Sequence, residues 1–242
     1  MSGRDNRGVL FANGPAESGE SEMPRVLSTN IGRAEPNPAK TVPTGIHKRA
    51  VTEISVRAPG PKHGGFGSGV IEDFIGDREH HGGDDQAVYA VAREELDWWS
   101  AQLGRRLDDG MFGENLTTVG LDVDRAVIGT RWSVGSAVLE VTGPRIPCGT
   151  FRVHMAERGW LKRYVEHGLS GAYLRVVTPG VIRPGDGVRV HDRPAHGVGV
   201  PTAFRAFYGD VDAMRAVVEA GVLNADEREQ MAEKNHPLLT ER

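Results

Sequence analysis

The stretch TRWSVGSAVLEVTGPRIPCGTF, residues 130–151, decides how the chain folds. TRWSVG and AVLEVTG are short β-type runs punctuated by glycine, and AYLRVVTPG (172–180) and DGVRVHD (186–192) repeat the pattern downstream. Several short strands with turn signals predict a closed or sandwich-like β-structure. The quoted stretch ends in a Pro/Gly-rich turn that holds the chain's single cysteine, Cys148, with Pro147 before it and Arg145 three positions earlier.

Working outward, Arg25–Ser28 opens a strand, and AVTEISV (50–56) alternates as a half-buried strand does. Three prolines bar regular structure from AEPNPAKTVPTG (34–45). From Asp84 or Asp85, as cap, to Gly104 the chain reads as one helix, with Ala92, Leu96, Trp99 and Leu103 on its buried stripe. Trp98 and Trp99 read as rim and core. A helical piece, HMAERGWLKRYVEHG (154–168), interrupts the strands. Three short helices follow Gly199: PTAFRAFYG; DVDAMRAVVEAG, capped by Asp210 and ended by Gly221; and NADEREQMAEK, opened by an Asn224/Glu227 capping box. The expected class is mainly β with helices (α+β). Residues 1–22 read as a disordered extension, 23–196 as the β-domain and 197–242 as a three-helix appendage with its only histidine, His236, at the end. Phe204, Phe207, Met214, Val217 and Val218 give that appendage an apolar face, to be buried on its own barrel, a reductase or a second subunit.

Composition excludes several classes. One cysteine allows neither an intramolecular disulfide nor a thiolate-only zinc cage. No apolar run is long enough for a membrane span, and no secretory pattern opens the chain, which predicts a soluble cytoplasmic protein. A net charge of -4 gives no reason to expect nucleic-acid binding. The charge is uneven: residues 125–200 are mostly basic among their charged positions, as if facing an anionic ligand. GPKHGGFGSG (60–69) lacks the ending of a phosphate loop, and no G-x-S-x-G elbow is present.

Three stretches carry chemistry. A lone cysteine is often a small buried hydrophobe. In PRIPCGT, however, Arg145 favours the thiolate, and a thiolate is a nucleophile or a soft-metal ligand. In REHHGGDD (78–85), His80 and His81 are adjacent, so one is expected at the surface and the other at a ligand or a moving proton. In FGENLT (112–117), Asn115 either bonds its own backbone or offers an amide to a polar ligand.

Taken in order, IGDREHHGGDDQAVYAVAREELDWW (75–99) and MFGENLTTVGLDVDRAVIGTRWSVGSAVLEVTGPRIPC (111–148) resemble the MOSC domain, named for the molybdenum cofactor sulfurase C-terminus. The likeness is to the stand-alone bacterial group that includes the hydroxylaminopurine-resistance proteins. It runs from about Pro24 through the β-body, and VPTAFRAFYGDVDAMRAVVEAG (200–221) resembles that group's helical tail. The resemblance implies a β-barrel-like core binding a molybdenum–molybdopterin cofactor (Moco) and reduction of N-hydroxylated substrates such as hydroxylamine bases and amidoximes. It implies Cys148 as metal ligand, His81 beside the reacting centre, and Lys48, Asn115, Arg145 and Pro147 around the pterin or its phosphate. Electrons are expected from an external reductase, and a homodimer is compatible. At family level the resemblance also brings pyridoxal phosphate binding and a detoxifying role. Two alternatives stay open: a cofactor or sulfur carrier in which Cys148 holds a persulfide or docks a pterin, and a non-catalytic β-domain with Cys148 in its core.

Overall fold

The runs on either side of Gly135-Ser136 form a hairpin, in which β6 (Arg131–Val134) and β7 (Ala137–Pro144) pair antiparallel with Val134 opposite Ala137. Ala137, Leu139 and Val141 are buried while the alternate Val138 and Glu140 are half-buried, the two-residue period of a strand with one face on a core. This computed structural model describes residues 23–233. The extension expected over residues 1–22, and His236, lie outside them.

Eight strands make one mixed sheet. β10 (Val188–His191) flanks the hairpin on one side. On the other follow β8 (Ala172–Thr178), β4 (Val88–Ala92), β5 (Leu116–Val119), β1 (Arg25–Gly32) and β2 (Lys48–Val51). β4 and β5 run parallel, connected through α1 (Arg93–Leu103) as parallel neighbours require. The sheet curls until its ends meet: Val26 N donates to Asp186 O (2.9 Å) and Val188 N to Pro24 O (2.7 Å). One bridge, Arg25 to Gly187, joins β1 to the β10 side, so the sheet is barrel-like without a full closing ladder. β3 (Ile54–Val56) and β9 (Gly180–Ile182) form a separate ribbon. The α+β expectation holds.

The interior of the sheet and the C-terminal helices form one core. Val26, Val88, Leu139 and Leu174 cluster with Val200, Ala203 and Phe207 of α4 (Val200–Phe207), Met214 and Val217 of α5 (Val211–Ala220), and Met231 of α6 (Ala225–Glu233). Each such large side chain contributes about 1.5–3 kcal/mol on burial. The tail therefore packs on its own barrel, although Val218 remains exposed. Its caps form as read: Asp210 Oδ1 accepts from Ala213 N (3.0 Å), and Asn224 and Glu227 bond reciprocally at 2.8 and 3.0 Å. A second, aromatic cluster of Trp99, Phe112, Phe151, Trp160, Tyr164 and Phe204 fixes α1, α2 (Gly149–Met155) and α3 (Trp160–His167) against the sheet. Trp99 is buried there, while Trp98 lies on the rim, stacked on His167.

Three expectations are corrected. The helix expected from Asp84 begins at Arg93; residues 84–86 make a single 3-10 turn, and 88–92 are a strand. β4 is buried on both faces between β8 and β5, and such a strand shows the same unbroken apolar run as a buried helix segment. AVTEISV breaks at Thr52-Glu53 into β2 and β3, which belong to different sheets. The piece over 154–168 is two helices, interrupted before α3 by Gly159 in the left-handed region (φ 71°).

Glu114 of the FGENLT stretch is wholly buried. Its carboxylate accepts from Gly110 N (2.6 Å), Phe112 N (2.9 Å) and Thr117 Oγ1 (3.0 Å), which ties the loop before β5. Burial pushes its pKa up to about 7 against those donors. Glu114→Ala orphans two buried N–H groups and is expected to cost about 2–4 kcal/mol. A urea midpoint lowered at unchanged slope is the corresponding measurement.

Candidate functional site

β7 ends at Pro144, and four residues carry the chain to α2, whose N-cap is Cys148. The turn leaves the thiol half-buried. Burial raises its pKa, but the His81 hydrogen bond, the Arg145 and His81 charges and the Phe151 N–H outweigh it and bring the thiol down to about 6. The histidine pair divides as expected. His81 faces Cys148, while His80 lies at the surface against Asp77 Oδ1 (2.9 Å).

Arg145 is buried, with its guanidinium 3.7 Å from the Phe151 ring centre and 5.4 Å from that of Tyr89. Burial opposes its charge, yet Tyr89, Tyr164, Tyr173 and Cys148 hold its pKa above the ordinary value. Its Nη1 has no hydrogen-bond partner. A buried charged N–H without an acceptor is costly, which is the mark of a group awaiting one.

Two neighbouring clefts meet at this thiol. The inner one, about 120 Å³, is lined by Lys48, Asp73, Asn115, Arg145, Cys148 and Thr150 among others. The outer one, about 510 Å³, runs from His81, Cys148 and Tyr173 to the first turns of α6. Its volume is that of a small-molecule or cofactor site.

The remaining expected residues are placed differently. Lys48 is expected to face a phosphate, but its Nζ donates to both Asp73 oxygens, at 2.5 and 2.6 Å. Asn115 lines the inner cleft with its amide engaged: Oδ1 accepts from Tyr89 N (3.2 Å), and Nδ2 donates to Asn30 O (3.2 Å) and Asp73 Oδ2 (3.1 Å). Pro147 lines neither cleft and acts on the backbone entering Cys148. The basic bias of residues 125–200 does not supply the site. Of the Lys and Arg residues lining the two clefts, Lys40, Lys48 and Lys62 come from the N-terminal third and only Arg145 from that region. Asp73 was not legible as a site residue. It gathers Lys48, Asn115, Gly32 N (2.7 Å) and Ser68 Oγ (2.9 Å), but in sequence it is one acidic residue among many.

The arrangement presents a thiolate, an adjacent imidazole and a buried guanidinium to a cleft. A soft thiolate suits molybdenum, and the unpartnered Nη1 suits an anionic or carbonyl oxygen of a bound group, so the residues fit a sulfur-ligated metal cofactor. The thiol can be checked directly. Alkylation of cofactor-free protein by iodoacetamide is expected to rise with pH through a midpoint near 6, because only the thiolate reacts. His81→Leu removes the hydrogen bond and moves that midpoint upward. A profile centred on an ordinary thiol would show that the cleft does not hold the thiolate.

Residues 77–189 match the family model of the MOSC domain. The chain is 28% identical over 229 residues to an uncharacterized protein, YflK, of Bacillus subtilis, covering 91% of this chain and 98% of the relative. It is also 32% identical over 118 residues to a protein named "Reductase" from Gibberella moniliformis, spanning 47% of this chain and 21% of that protein. Among solved structures, YiiM from Geobacillus stearothermophilus superposes with a TM-score of 0.68 at 26% identity, covering 87% of this chain and 98% of that one. Among the described residues, no helix is long and apolar enough to cross a membrane.

Proposed function

We propose that this chain, which belongs to the MOSC-domain proteins, is a cytoplasmic molybdenum-cofactor-dependent reductase of N-hydroxylated compounds. The observation that carries the reading is Cys148. It is the chain's only thiol, its pKa is brought down to about 6, and it opens on both clefts beside a buried guanidinium whose Nη1 lacks an acceptor. The relative named "Reductase" supports the class of reaction.

In this reading the substrate R–NHOH takes up two electrons and two protons and leaves as R–NH₂ and water. The electrons come from a separate electron-donating protein. The bound cofactor supplies the two-electron redox chemistry. Cys148 Sγ would ligate the metal, and Arg145 Nη1 would donate to an anionic or carbonyl oxygen of the bound group. His81, which lines both clefts with Cys148, would be the ring to pass a proton to the departing oxygen. Lys48, Asp73 and Asn115 stiffen the inner wall through the bonds described above and position the cofactor indirectly.

Metal and pterin analysis of protein from a host that makes the cofactor is the test. Stoichiometric molybdenum with pterin, and reduction of benzamidoxime with an artificial electron donor, are expected. Cyanide-releasable sulfur without molybdenum would replace this reading with a sulfur carrier.

A further inference from the structure

The outer cleft has a wall that the cysteine motif does not supply. Besides Cys148 and Tyr173, it is lined by Phe207 of α4 and by Asn224, Ala225, Glu227 and Gln230 at the start of α6. α6 is held there firmly. Met231 is buried in the main core, and the Asn224/Glu227 cap fixes the first turn. A Cβ placed on Gly143 of β7 would lie 2.8 Å from Glu227 Oε1, so the Glu227 side chain reaches the strand that leads to Arg145 and Cys148.

Most polar groups along this cleft are already engaged. Lys40 and His80 bond Asp77, Asp84 accepts from Gly60 N, Asp85 bonds Arg175, and Gln86 accepts from Gly82 N. Gln230 differs: half-buried in the wall, its amide makes no hydrogen bond to another described residue. A primary amide offers a donor and an acceptor side by side.

We propose that α6 is the substrate-discriminating wall of the site and that Gln230 is the residue that reads the substrate. It pairs with uncharged substrates that carry a donor and an acceptor next to the N–O bond, as an amidoxime does, and is indifferent to those that lack that edge. This rests on the reductase reading given above.

The test compares benzamidoxime, which has the edge, with phenylhydroxylamine, which lacks the second nitrogen. It uses the full-length, cofactor-loaded protein and its Gln230→Leu and Gln230→Glu variants. Gln230→Leu is expected to raise KM for benzamidoxime about tenfold with kcat little changed, and to leave KM for phenylhydroxylamine unaltered. Calorimetry should show the same tenfold loss in benzamidoxime binding, at unchanged molybdenum content and melting temperature. Gln230→Glu, which keeps the acceptor and the length, should fall between the two. Equal effects on both compounds, or none on either, overturn the role of Gln230. Binding that depends on Gln230 in a wild-type protein that reduces neither compound keeps the wall and overturns the reductase reading.

Discussion

Replacing Cys148 with serine is expected to lower reduction of benzamidoxime by more than about a hundredfold, with no loss of fold. A hundredfold is the scale lost when a group merely supporting a metal ligand is removed, and Cys148 is assigned as the ligand itself. Serine is close to isosteric, and the side chain is only half-buried at the start of a short helix, so packing changes little. A hydroxyl in the same place stays protonated at neutral pH and is a hard, weak donor to molybdenum. The pterin could still be retained through Arg145, so metal content, pterin content and turnover should be measured together. Unchanged turnover per bound molybdenum would refute the assignment.

Asp73→Ala is expected to cost about 3–5 kcal/mol, because it strands the Lys48 ammonium in a buried site. The Lys48 and Asp73 side chains are 6% and 1% exposed, and solvent offers neither an alternative partner. The same substitution also removes the acceptor of Gly32 N, Ser68 Oγ and Asn115 Nδ2. A Lys48→Met change added to Asp73→Ala should restore much of the loss, since no unpaired charge then remains. Urea titration of the wild type, both single variants and the double variant measures the coupling. Strict additivity would show that the pair does not interact.

Much of the site was legible because its chemistry is local. Arg145, Cys148 and the His80/His81 pair lie in short glycine- and proline-punctuated turns, where a thiol, a cation and an imidazole have few structural reasons to occur. The β-runs after residue 130 were legible for a similar reason, since glycine marks their ends. The polar network beneath the site was not. Lys48, Asp73 and Asn115 are brought together by pairing between β1, β2 and β5 and by a loop from elsewhere in the chain, and nothing in their own neighbourhoods records that meeting. Lys48, which the resemblance implies at a phosphate, meets in Asp73 a partner 25 residues away in sequence. β4 was misread because burial on both faces erases the two-residue alternation that identifies a strand. The tail reads as three helices, the second and third with their caps, but the position of Gln230 depends on how α6 packs on the barrel, a tertiary fact.

The seam between residues 24–26 and 185–188 sets a timetable for biosynthesis. As the nascent chain leaves the ribosome, β1 acquires β2 first and β5 later, but its remaining edge has no neighbour until the segment before β10 emerges. Until then an unpaired backbone edge stands open to other chains, the situation that favours mispairing. Contacts this distant in sequence also delay closure, because loop-closure entropy is lost before the pairing is gained. Cys148 is synthesised before the seam can close, so the thiol spends that interval in a partly assembled pocket, and the cleft it opens on is complete only after the last strand has docked.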